Sequence, residues 1–240
     1  MARPDLVLLG FGMGDGQQLT LEAEALLRTI GRAFVVGPTP RVRRQLRRLR
    51  VRSTDLTALM DADDPAAGYL AVADAILAQA DADPPTIALF PGHPLVSNSL
   101  GRYLLVVAAE RGIVAQAVPG LSAVDLLVSM TGLDIGMAGL QILDARRLAE
   151  KGMAFSPRMP LALLEPAAVA AVGGEAWAAL SRRLARAYPP SHPALLVAAP
   201  GTLSEGGVVA STVGGLAETG PSAPAGAVLF IDRYLQQNGA

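Results

Sequence analysis

The chain has 240 residues, of which 51% are hydrophobic and 4% aromatic, and its formal net charge is −1 at pH 7. This composition is typical of packed α/β layers and excludes a disordered chain, and the charge gives no global attraction to nucleic acid or membrane. The absence of cysteine excludes disulfides, thiolate zinc sites and cysteine nucleophiles, and it fits a reducing compartment.

The first half of the sequence alternates apolar segments with amphipathic ones. Segments 6–9 and 33–36 predict buried strands, and Thr20 is a candidate N-cap for the helix that follows it. Apolar residues at helical spacing predict three helices, with faces at Ala23, Leu26, Leu27 and Ile30, then Val42, Leu46 and Leu49, then Tyr69, Val72, Ala73, Ile76 and Ala80. Strands that alternate with helices in this way predict a largely parallel sheet.

The pattern changes after Gly139. Short apolar segments at 161–164, 194–199, 208–211 and 227–231 are separated by loops rich in Gly, Pro and Ser, and 175–187 predicts the one substantial helix. We therefore predict two α/β domains. The first, residues 1–135, has a mostly parallel sheet, and the second, residues 136–240, has a mixed one.

Two predicted strands end in Gly/Pro loops that each lead into a helix. Segment 87–90 runs into Pro91-Gly92-His93-Pro94, and segment 113–118 runs into Pro119-Gly120-Leu121-Ser122-Ala123. Open α/β sheets bind ligands outside the carboxyl ends of their strands. Glycine lets the backbone approach a ligand and proline fixes the shape of the loop, so these loops predict a small-molecule site.

An earlier glycine cluster, Gly10-Phe11-Gly12-Met13-Gly14-Asp15, does not match a dinucleotide-binding pattern. Glycine would be needed at Asp15 or Gln17, and no clear acid ends a second strand. A tight turn explains these glycines as well as a ligand does. Their pairing with the two later loops favours contact with a cofactor.

The two loops together resemble those of the tetrapyrrole methylase family of S-adenosylmethionine (SAM)-dependent methyltransferases. The Gly92-His93-Pro94 variant, followed by Ser122-Ala123 and Asp125, is most similar to the borosin-type peptide backbone α-N-methyltransferases. The opening cluster, together with Gln18-Leu19-Thr20-Leu21-Glu22-Ala23, resembles the first strand, loop and helix of the family. Weaker likeness continues through 139–141 and 212–216.

The resemblance implies that SAM binds without a metal in a cleft between the two domains and leaves as S-adenosylhomocysteine. It also implies a homodimer and assigns cofactor contacts to eight residues, which are Gly12, Pro91, Gly92, His93, Val96, Ser122, Ala123 and Glu165. Simpler roles stay open: His93 bonding its own turn, Ser122 capping a helix, and Glu165 facing water at a strand end. The borosin-type branch has glutamine where this chain has Glu165, which accepts hydrogen bonds but does not donate them when ionised.

Tyr69 is the candidate catalytic residue. The borosin-type branch uses a cluster of tyrosines with an arginine before the Gly-His-Pro strand, and Tyr69 stands at the matching start of a helix. The expected arginine is replaced by Pro65, and segment 53–57 has no tyrosine. Tyr69 could equally belong to the core-facing stripe of its helix.

The resemblance favours a peptide backbone amide as methyl acceptor. Because 226–235 predicts a final strand and the sequence then stops, we expect the peptide to be supplied in trans. The alternatives are C-, N- or O-methylation of a tetrapyrrole or other small molecule, and a non-catalytic SAM-binding protein.

Seven arginines between Arg41 and Arg52 form either a solvated helix face or a surface that docks an acidic substrate. Aromatic residues do not interleave with them, so nucleic acid is not expected as a partner. The N-terminus lacks the long apolar region of a signal peptide, and the apolar run at 103–109 is too short to span a bilayer. We therefore expect a soluble cytoplasmic protein without a membrane partner.

Overall fold

The computed structural model describes residues 4–14, 16–61, 65–199, 207–219 and 223–232. The chain divides into two compact units, Met1–Ser122 and Ala123–Ala240. The division falls within the second Pro-Gly loop, whereas the boundary expected from the sequence lies after residue 135. The helix Ala123–Thr131 accounts for the difference, because it contacts strands of the second unit.

Unit 1 contains a five-stranded sheet in which every neighbouring pair is parallel, and this confirms the mostly parallel sheet that the sequence predicted. Its strands are β1 (Leu6–Gly10), β2 (Arg32–Val35), β3 (Arg52–Asp55), β4 (Thr86–Phe90) and β5 (Ala115–Ala117), in the order β3-β2-β4-β1-β5. The polar strand β3 was not predicted. It lies at an edge of the sheet, where its side chains need no apolar neighbour.

Helices cover both faces of this sheet. Helices α1 (Leu21–Ile30) and α2 (Pro40–Arg48) pack on one face, and α3 (Pro65–Ala82) and α4 (Ser99–Glu110) pack on the other. Along β1, Val7 and Leu9 join the first of these cores while Leu6 and Leu8 join the second. All five residues of β1 are consequently buried, which is typical of a parallel strand between two helical layers.

The predicted helical faces of unit 1 are confirmed except at Tyr69. The Thr20 hydroxyl accepts a hydrogen bond from the Ala23 amide at 3.1 Å and caps α1 as expected. On α3 the buried stripe runs from Val72 to Ala80, but Tyr69 is 40% exposed. Gly68 takes the buried position instead, where a Cβ atom would lie 2.8 Å from the Leu59 carbonyl oxygen in the short 3-10 helix Thr57–Asp61.

Unit 2 has a mixed five-stranded sheet, again as predicted. Its strands are β6 (Gln141–Asp144), β7 (Leu161–Leu164), β8 (Pro193–Ala198), β9 (Gly207–Thr212) and β10 (Val228–Ile231), in the order β6-β7-β10-β8-β9. Only the β6–β7 pair is parallel among these neighbours. The helices are α5 (Ala123–Thr131), α6 (Ile135–Ala138), α7 (Ala145–Lys151), α8 (Pro166–Val172), α9 (Gly174–Ala185) and α10 (Leu216–Thr219).

Some elements of unit 2 differ from the predictions. Helices α7 and α8 were not predicted, since each spans only seven residues. The predicted helix 175–187 corresponds to α9, whose Trp177 indole donates to the Leu216 carbonyl at 2.7 Å in the core. The predicted final strand is observed as β10 up to Ile231, and its residues 233–235 lie outside the described residues. Within the described ranges, no helix combines the length and apolar character needed to cross a membrane.

Candidate functional site

The loops that follow β1, β4 and β5 meet at the carboxyl edge of the parallel sheet. The Gly92 amide donates to the Gly12 carbonyl at 2.9 Å, so the first two loops form a short antiparallel bridge. A Cβ atom on Gly10 would lie 1.9 Å from the Gly92 carbonyl oxygen. A Cβ atom on Gly120 would lie 3.6 Å from both the Gly10 Cα and the Gly92 oxygen. The structure therefore brings the three glycine loops into backbone contact.

The first glycine cluster is a turn that Gln18 holds in place. Gly12 has a φ of +78°, and a Cβ atom there would lie 2.3 Å from the Gln18 Cβ. The Gln18 side-chain oxygen accepts a hydrogen bond from the Met13 amide at 2.7 Å. The glycine at position 12 is thus required by the turn itself, and this requirement is compatible with a ligand lying against the loop.

His93 bonds to its own turn, which was its simpler predicted role. Its Nδ1 atom accepts a hydrogen bond from the Leu95 amide at 3.0 Å, and its carbonyl accepts one from the Val96 amide at 3.3 Å. Because Nδ1 acts as an acceptor, the neutral ring carries its proton on Nε2. The half-buried imidazole therefore keeps one donor for another partner.

The rest of this loop is fixed by helix α4. Asn98 caps the helix by accepting a hydrogen bond from the Gly101 amide at 3.0 Å. A Cβ atom on Gly101 would lie 1.9 Å from the Pro94 carbonyl oxygen, so only glycine allows this approach of loop and helix. Ser97, between the loop and the helix, has a φ of +52°, a strained backbone for a residue other than glycine. Pro91 is exposed and Val96 is half-buried.

The third loop ends at Ser122 and Ala123. Ser122 is 5% exposed and immediately precedes α5, which begins at Ala123. Its position is therefore that of a helix N-cap, as the simpler prediction required. Ala123 is half-buried at the first residue of the helix. Leu121 separates both residues from Gly120, which approaches the other two loops.

Glu165 lies in unit 2, at the carboxyl end of β7. It has φ 56° and ψ 44°, a left-handed backbone conformation, and it precedes α8 without capping it through its side chain. Burial raises the pKa of its carboxyl group, and the nearby charge of Asp144 at the end of β6 raises the pKa further. Asp144 itself caps α7 by accepting a hydrogen bond from the Arg147 amide at 2.9 Å. Glu165 is thus a strained, partly buried acid beside a second acid.

Tyr69 lies early in α3, the helix that follows the carboxyl end of β3 and the short 3-10 helix. Its 40% exposure contradicts the prediction that it belongs to the core-facing stripe. The buried face of α3 passes through Gly68 and Val72, and Tyr69 falls beside this face. The side chain is therefore open to solvent.

Three residues that build the loop junction were not among the predicted site residues: Gly10, Gln18 and Gly101. Gly10 and Gln18 both stand in the opening motif, so that motif carried the signal for them. Gly101 lies inside a helical pattern, and its contact with the Pro94 carbonyl depends on tertiary structure alone.

Unit 2 contains a further group of titratable side chains that the sequence did not single out. The Tyr188 ring stacks on Phe155, with 5.9 Å between centroids, and lies 4.7 Å from the His192 ring. Burial, with a smaller contribution from Asp232, raises the pKa of Tyr188 to about 12. Burial lowers the pKa of His192, and Asp232 partly opposes this shift. A pocket of about 240 Å³ beside the stack is lined by Ala154, Phe155, Arg183, Arg186 and Ala187.

Comparison with known proteins gives one family and two groups of relatives. The model of the family described as Tetrapyrrole (Corrin/Porphyrin) Methylases matches residues 5–217. A methyltransferase/type III borosin cyclic peptide precursor from Anomoporia bombycina is 27% identical over 161 residues, covering 67% of this chain and 19% of that protein. A type I precursor from Serendipita vermifera subsp. bescii is 24% identical over 196 residues, covering 79% of this chain and 48% of that protein. The chain thus spans between about a fifth and a half of the length of these relatives.

Solved structures share the fold at low sequence identity. Uroporphyrin-III-C-methyltransferase from Thermus thermophilus aligns with a TM-score of 0.73 and 21% identity, over 96% of this chain and 93% of that one. A structure of the enzyme complexed with S-adenosyl homocysteine aligns with a TM-score of 0.66 and 20% identity, over 97% and 93%. Cobalt precorrin-4 methyltransferase aligns with a TM-score of 0.68 and 13% identity, over 98% and 99%.

Proposed function

We propose that this chain, which belongs to the tetrapyrrole (corrin/porphyrin) methylase family, is a SAM-dependent methyltransferase that acts on a peptide backbone amide. The family resemblance predicted from the glycine loops is confirmed by the match over residues 5–217. The observation that carries the proposal is the junction of three glycine loops at the carboxyl edge of the parallel sheet. Ligands of open α/β sheets bind at this edge.

The residues at the junction fit SAM as cofactor. Backbone groups of Gly12 and Gly92 and the small side chain of Ala123 would leave room for it, and the Nε2 donor of His93 and the Ser122 hydroxyl could hydrogen-bond it. Pro91 and Val96 complete this set, and Glu165 is proposed as a further contact. Bound SAM would supply a methyl group on an electrophilic sulfonium, with S-adenosylhomocysteine as the product.

The peptide acceptor is proposed from the borosin relatives and from Tyr69. An amide nitrogen is a poor nucleophile and must lose or share its proton before it can be methylated. Tyr69 is proposed to share that proton by accepting a hydrogen bond from the amide N–H at its hydroxyl oxygen, and its 40% exposure leaves the side chain open to solvent. A homodimer remains a prediction from the family resemblance, and a cytoplasmic location remains a prediction from the N-terminal sequence.

A second candidate acceptor is a tetrapyrrole or another small molecule. The observation that favours it is the surroundings of Tyr69: Pro65 replaces the arginine of the borosin-type branch, and segment 53–57 has no tyrosine. Strand β3 exposes the serine and threonine of this segment instead. A carbon or heteroatom acceptor needs no amide deprotonation, so such an enzyme would not need the missing groups.

The test is to incubate the purified chain with SAM and, separately, with a borosin-type peptide and with uroporphyrinogen III. Mass spectrometry then counts added methyl groups, and fragmentation locates them. Methyl groups on peptide backbone nitrogens are expected. Transfer to the tetrapyrrole alone would replace the peptide with the second candidate. SAM binding in calorimetry without transfer to either acceptor would contradict an enzymatic role.

A further inference from the structure

Helix α2 carries an unusual concentration of one charge. Its apolar residues Val42 and Leu46 are buried, whereas all five of its arginines are exposed: Arg41, Arg43, Arg44, Arg47 and Arg48. Arg50 and Arg52 follow and are also exposed, and the sequence has no acidic residue between Arg41 and Arg52. This surface contrasts with a chain whose net charge is −1.

The stability of the helix does not explain this concentration. Like charges three or four residues apart, such as Arg44 with Arg47 and Arg48, destabilise a helix, and cations in the first turn oppose its dipole. Helix α1 of the same unit shows the ordinary arrangement, with Glu22 and Glu24 in its first turn and Arg28 paired to Glu24 at 2.8 Å. The arginines of α2 therefore point to a partner that carries the opposite charge.

One ion pair joins this helix to the edge of the sheet. Arg43 pairs with Asp55, the last residue of β3, at 2.6 Å. Burial of Asp55 raises its pKa, but hydrogen bonds from Thr57 and the charge of Arg43 outweigh this effect and hold the pKa below its ordinary value. In the described part of the chain, Arg44, Arg47 and Arg48 take part in no ion pair. Their charge remains available beside β3.

Strand β3 leaves one side of its backbone without a strand neighbour. It is the terminal strand of its sheet, and the amides of Arg52 and Leu56 donate to the Gly31 and Val35 carbonyls, each at 2.9 Å. Alternate residues of a strand direct their backbone groups to the same side. The amides of Ser53 and Asp55 therefore face outward, and no described strand pairs with them. Such an edge is a template for an added strand.

We propose that the edge of β3 and the arginines of α2 form a docking surface for an extended acidic segment of the peptide substrate. The segment adds to β3 by bonding the backbone of Ser53 and Asp55. Its carboxylates pair with Arg44, Arg47 and Arg48. This inference rests on the proposed peptide acceptor and assigns recognition to a surface other than the glycine loops.

The same features disfavour two other occupants. Residues 40–56 contain no aromatic side chain on which a nucleic acid base could stack, and a nucleic acid cannot continue a backbone ladder. A second copy that paired through its own β3 would bring two arginine helices together, which like-charge repulsion opposes. An acidic polypeptide satisfies both the charge and the edge.

The binding test uses fluorescently labelled oligoglutamate as the probe and oligoglutamine as its neutral counterpart, with fluorescence anisotropy as the readout. Replacing Arg44, Arg47 and Arg48 together by glutamate should weaken oligoglutamate binding at least about tenfold. The matched control replaces Arg102, Arg146 and Arg182 by glutamate as well. These arginines are exposed on other helices, so the control should change the affinity less than about twofold. In about 1 M salt, where the screening length is about 3 Å, binding of oligoglutamate should be lost.

Amide hydrogen exchange measured by NMR tests the edge separately from the charge. Bound oligoglutamate should protect the amides of Ser53 and Asp55, whereas the Thr54 amide faces β2 and should change little. Three results would overturn the proposal. They are equal binding of oligoglutamine, unchanged binding by the variant with Arg44, Arg47 and Arg48 replaced (the Arg44 triple variant), and protection of amides outside β3. Tighter binding of a single-stranded oligonucleotide, or dimerisation through this edge, would overturn it as well.

These experiments are separable from the test of methyl transfer, because the binding assay contains no SAM. If the chain methylates a peptide, the Arg44 triple variant should raise the KM for an acidic substrate and leave kcat and SAM affinity unchanged. Oligoglutamate binding without peptide methylation would overturn the proposed function while supporting the docking surface. Peptide methylation by a chain that does not bind oligoglutamate would overturn the docking surface and leave the proposed function intact.

Discussion

Gly10 makes one of the two closest backbone approaches in the candidate site, the other being made by Gly101. A methyl group there would lie 1.9 Å from the Gly92 carbonyl oxygen, which belongs to another loop and cannot rotate away as a side chain could. We expect Gly10→Ala to separate the two loops, to weaken SAM binding and to destabilise the fold by about 1–3 kcal/mol. Denaturant unfolding and calorimetry with SAM measure the two effects.

Gly174→Ala is the matched control for this change. Gly174 begins α9 and has no atom within 4 Å of its missing Cβ. Alanine there should stabilise the chain by up to about 1 kcal/mol, because it limits the unfolded backbone and favours helix. Equal behaviour of the two alanine variants would mean that the loop junction tolerates separation.

Tyr69→Phe tests the proposed catalytic proton. The substitution removes one hydroxyl and keeps the ring, so turnover should fall at least roughly a hundredfold if the hydroxyl acts in general acid–base catalysis. SAM affinity and stability should change little, because the side chain is 40% exposed. Tyr188→Phe, in the core of unit 2, is the control and should leave turnover unchanged. Full activity of Tyr69→Phe would remove this residue from catalysis.

Glu165→Gln tests the partly buried acid of unit 2. The pKa of Glu165 is raised above its ordinary 4.5, first by burial and then by Asp144, so its ionised form costs stability at neutral pH. A raised acid pKa contributes stability that is present below pH 4.5 and is lost as pH rises through the folded value. Glutamine should therefore stabilise the chain at pH 7, with the advantage vanishing below pH 4.5 in pH-dependent unfolding. If the glutamine variant stays more stable in acid, its advantage comes from better packing or less backbone strain and not from the loss of a charge.

The sequence could predict the glycine loops, but it could not predict how exposed each side chain of the site is. Gly92, His93 and Ser122 stand in local motifs, and local motifs fix turns and caps. Tyr69 has the helical spacing of a core residue, yet Gly68 takes the buried position. Gly68 packs closely against the Leu59 backbone, a tertiary contact that helical spacing does not predict. The left-handed backbone of Glu165 is likewise set by tertiary structure, since its neighbours predict only a strand end.

At the scale of elements, the aromatic stack of unit 2 should limit stability in both acid and base. Lowering of the His192 pKa below 6.5 means that the unfolded chain binds more protons there, so stability falls as pH drops below 6.5. The pKa of Tyr188 is about 12 when folded and 10 when unfolded, so its contribution is present below pH 10 and is lost towards pH 12. Unfolding free energy should therefore reach a plateau between pH 6.5 and 10.

Two variants assign the limits of this plateau. Tyr188→Phe should reduce the alkaline loss and cost no stability at pH 7, because the buried hydroxyl has no hydrogen-bond partner among the described residues. His192→Gln should reduce the acid loss alone. Unchanged pH profiles in both variants would show that other groups govern these limits.

Elements with a strong apolar period were predictable, and polar or very short ones were not. Segments 6–9 and 87–90 are buried between helices and therefore carry continuous apolar sequence. Strand β3 carries Arg, Ser, Thr and Asp because it lies at the sheet edge, so periodicity gives no signal for it. Helix α7 is seven residues long, and its cap at Asp144 becomes informative only once the end of β6 is known.

At the scale of the whole molecule, each unit is built around its own hydrophobic core. The sheet of unit 1 is covered on two faces, and Trp177, Leu180 and Leu184 pack against the sheet of unit 2. The sequence predicted this division into two α/β parts from the change in pattern after Gly139. It could not place helix α5, because an amphipathic helix next to a loop fits either neighbour until its contacts are known.

Binding of SAM should stabilise the folded chain, because a ligand that binds only the folded state shifts the unfolding equilibrium towards it. A ligand present at a hundred times its dissociation constant stabilises the folded state by about 2.7 kcal/mol. Amide exchange should therefore slow in the glycine loops of unit 1 when SAM is added. The control is Ala123→Trp, in which added volume at a proposed contact should abolish SAM binding and this protection together. Exchange in these loops that SAM leaves unchanged would remove them from the cofactor site, and unchanged SAM affinity of the tryptophan variant would remove Ala123.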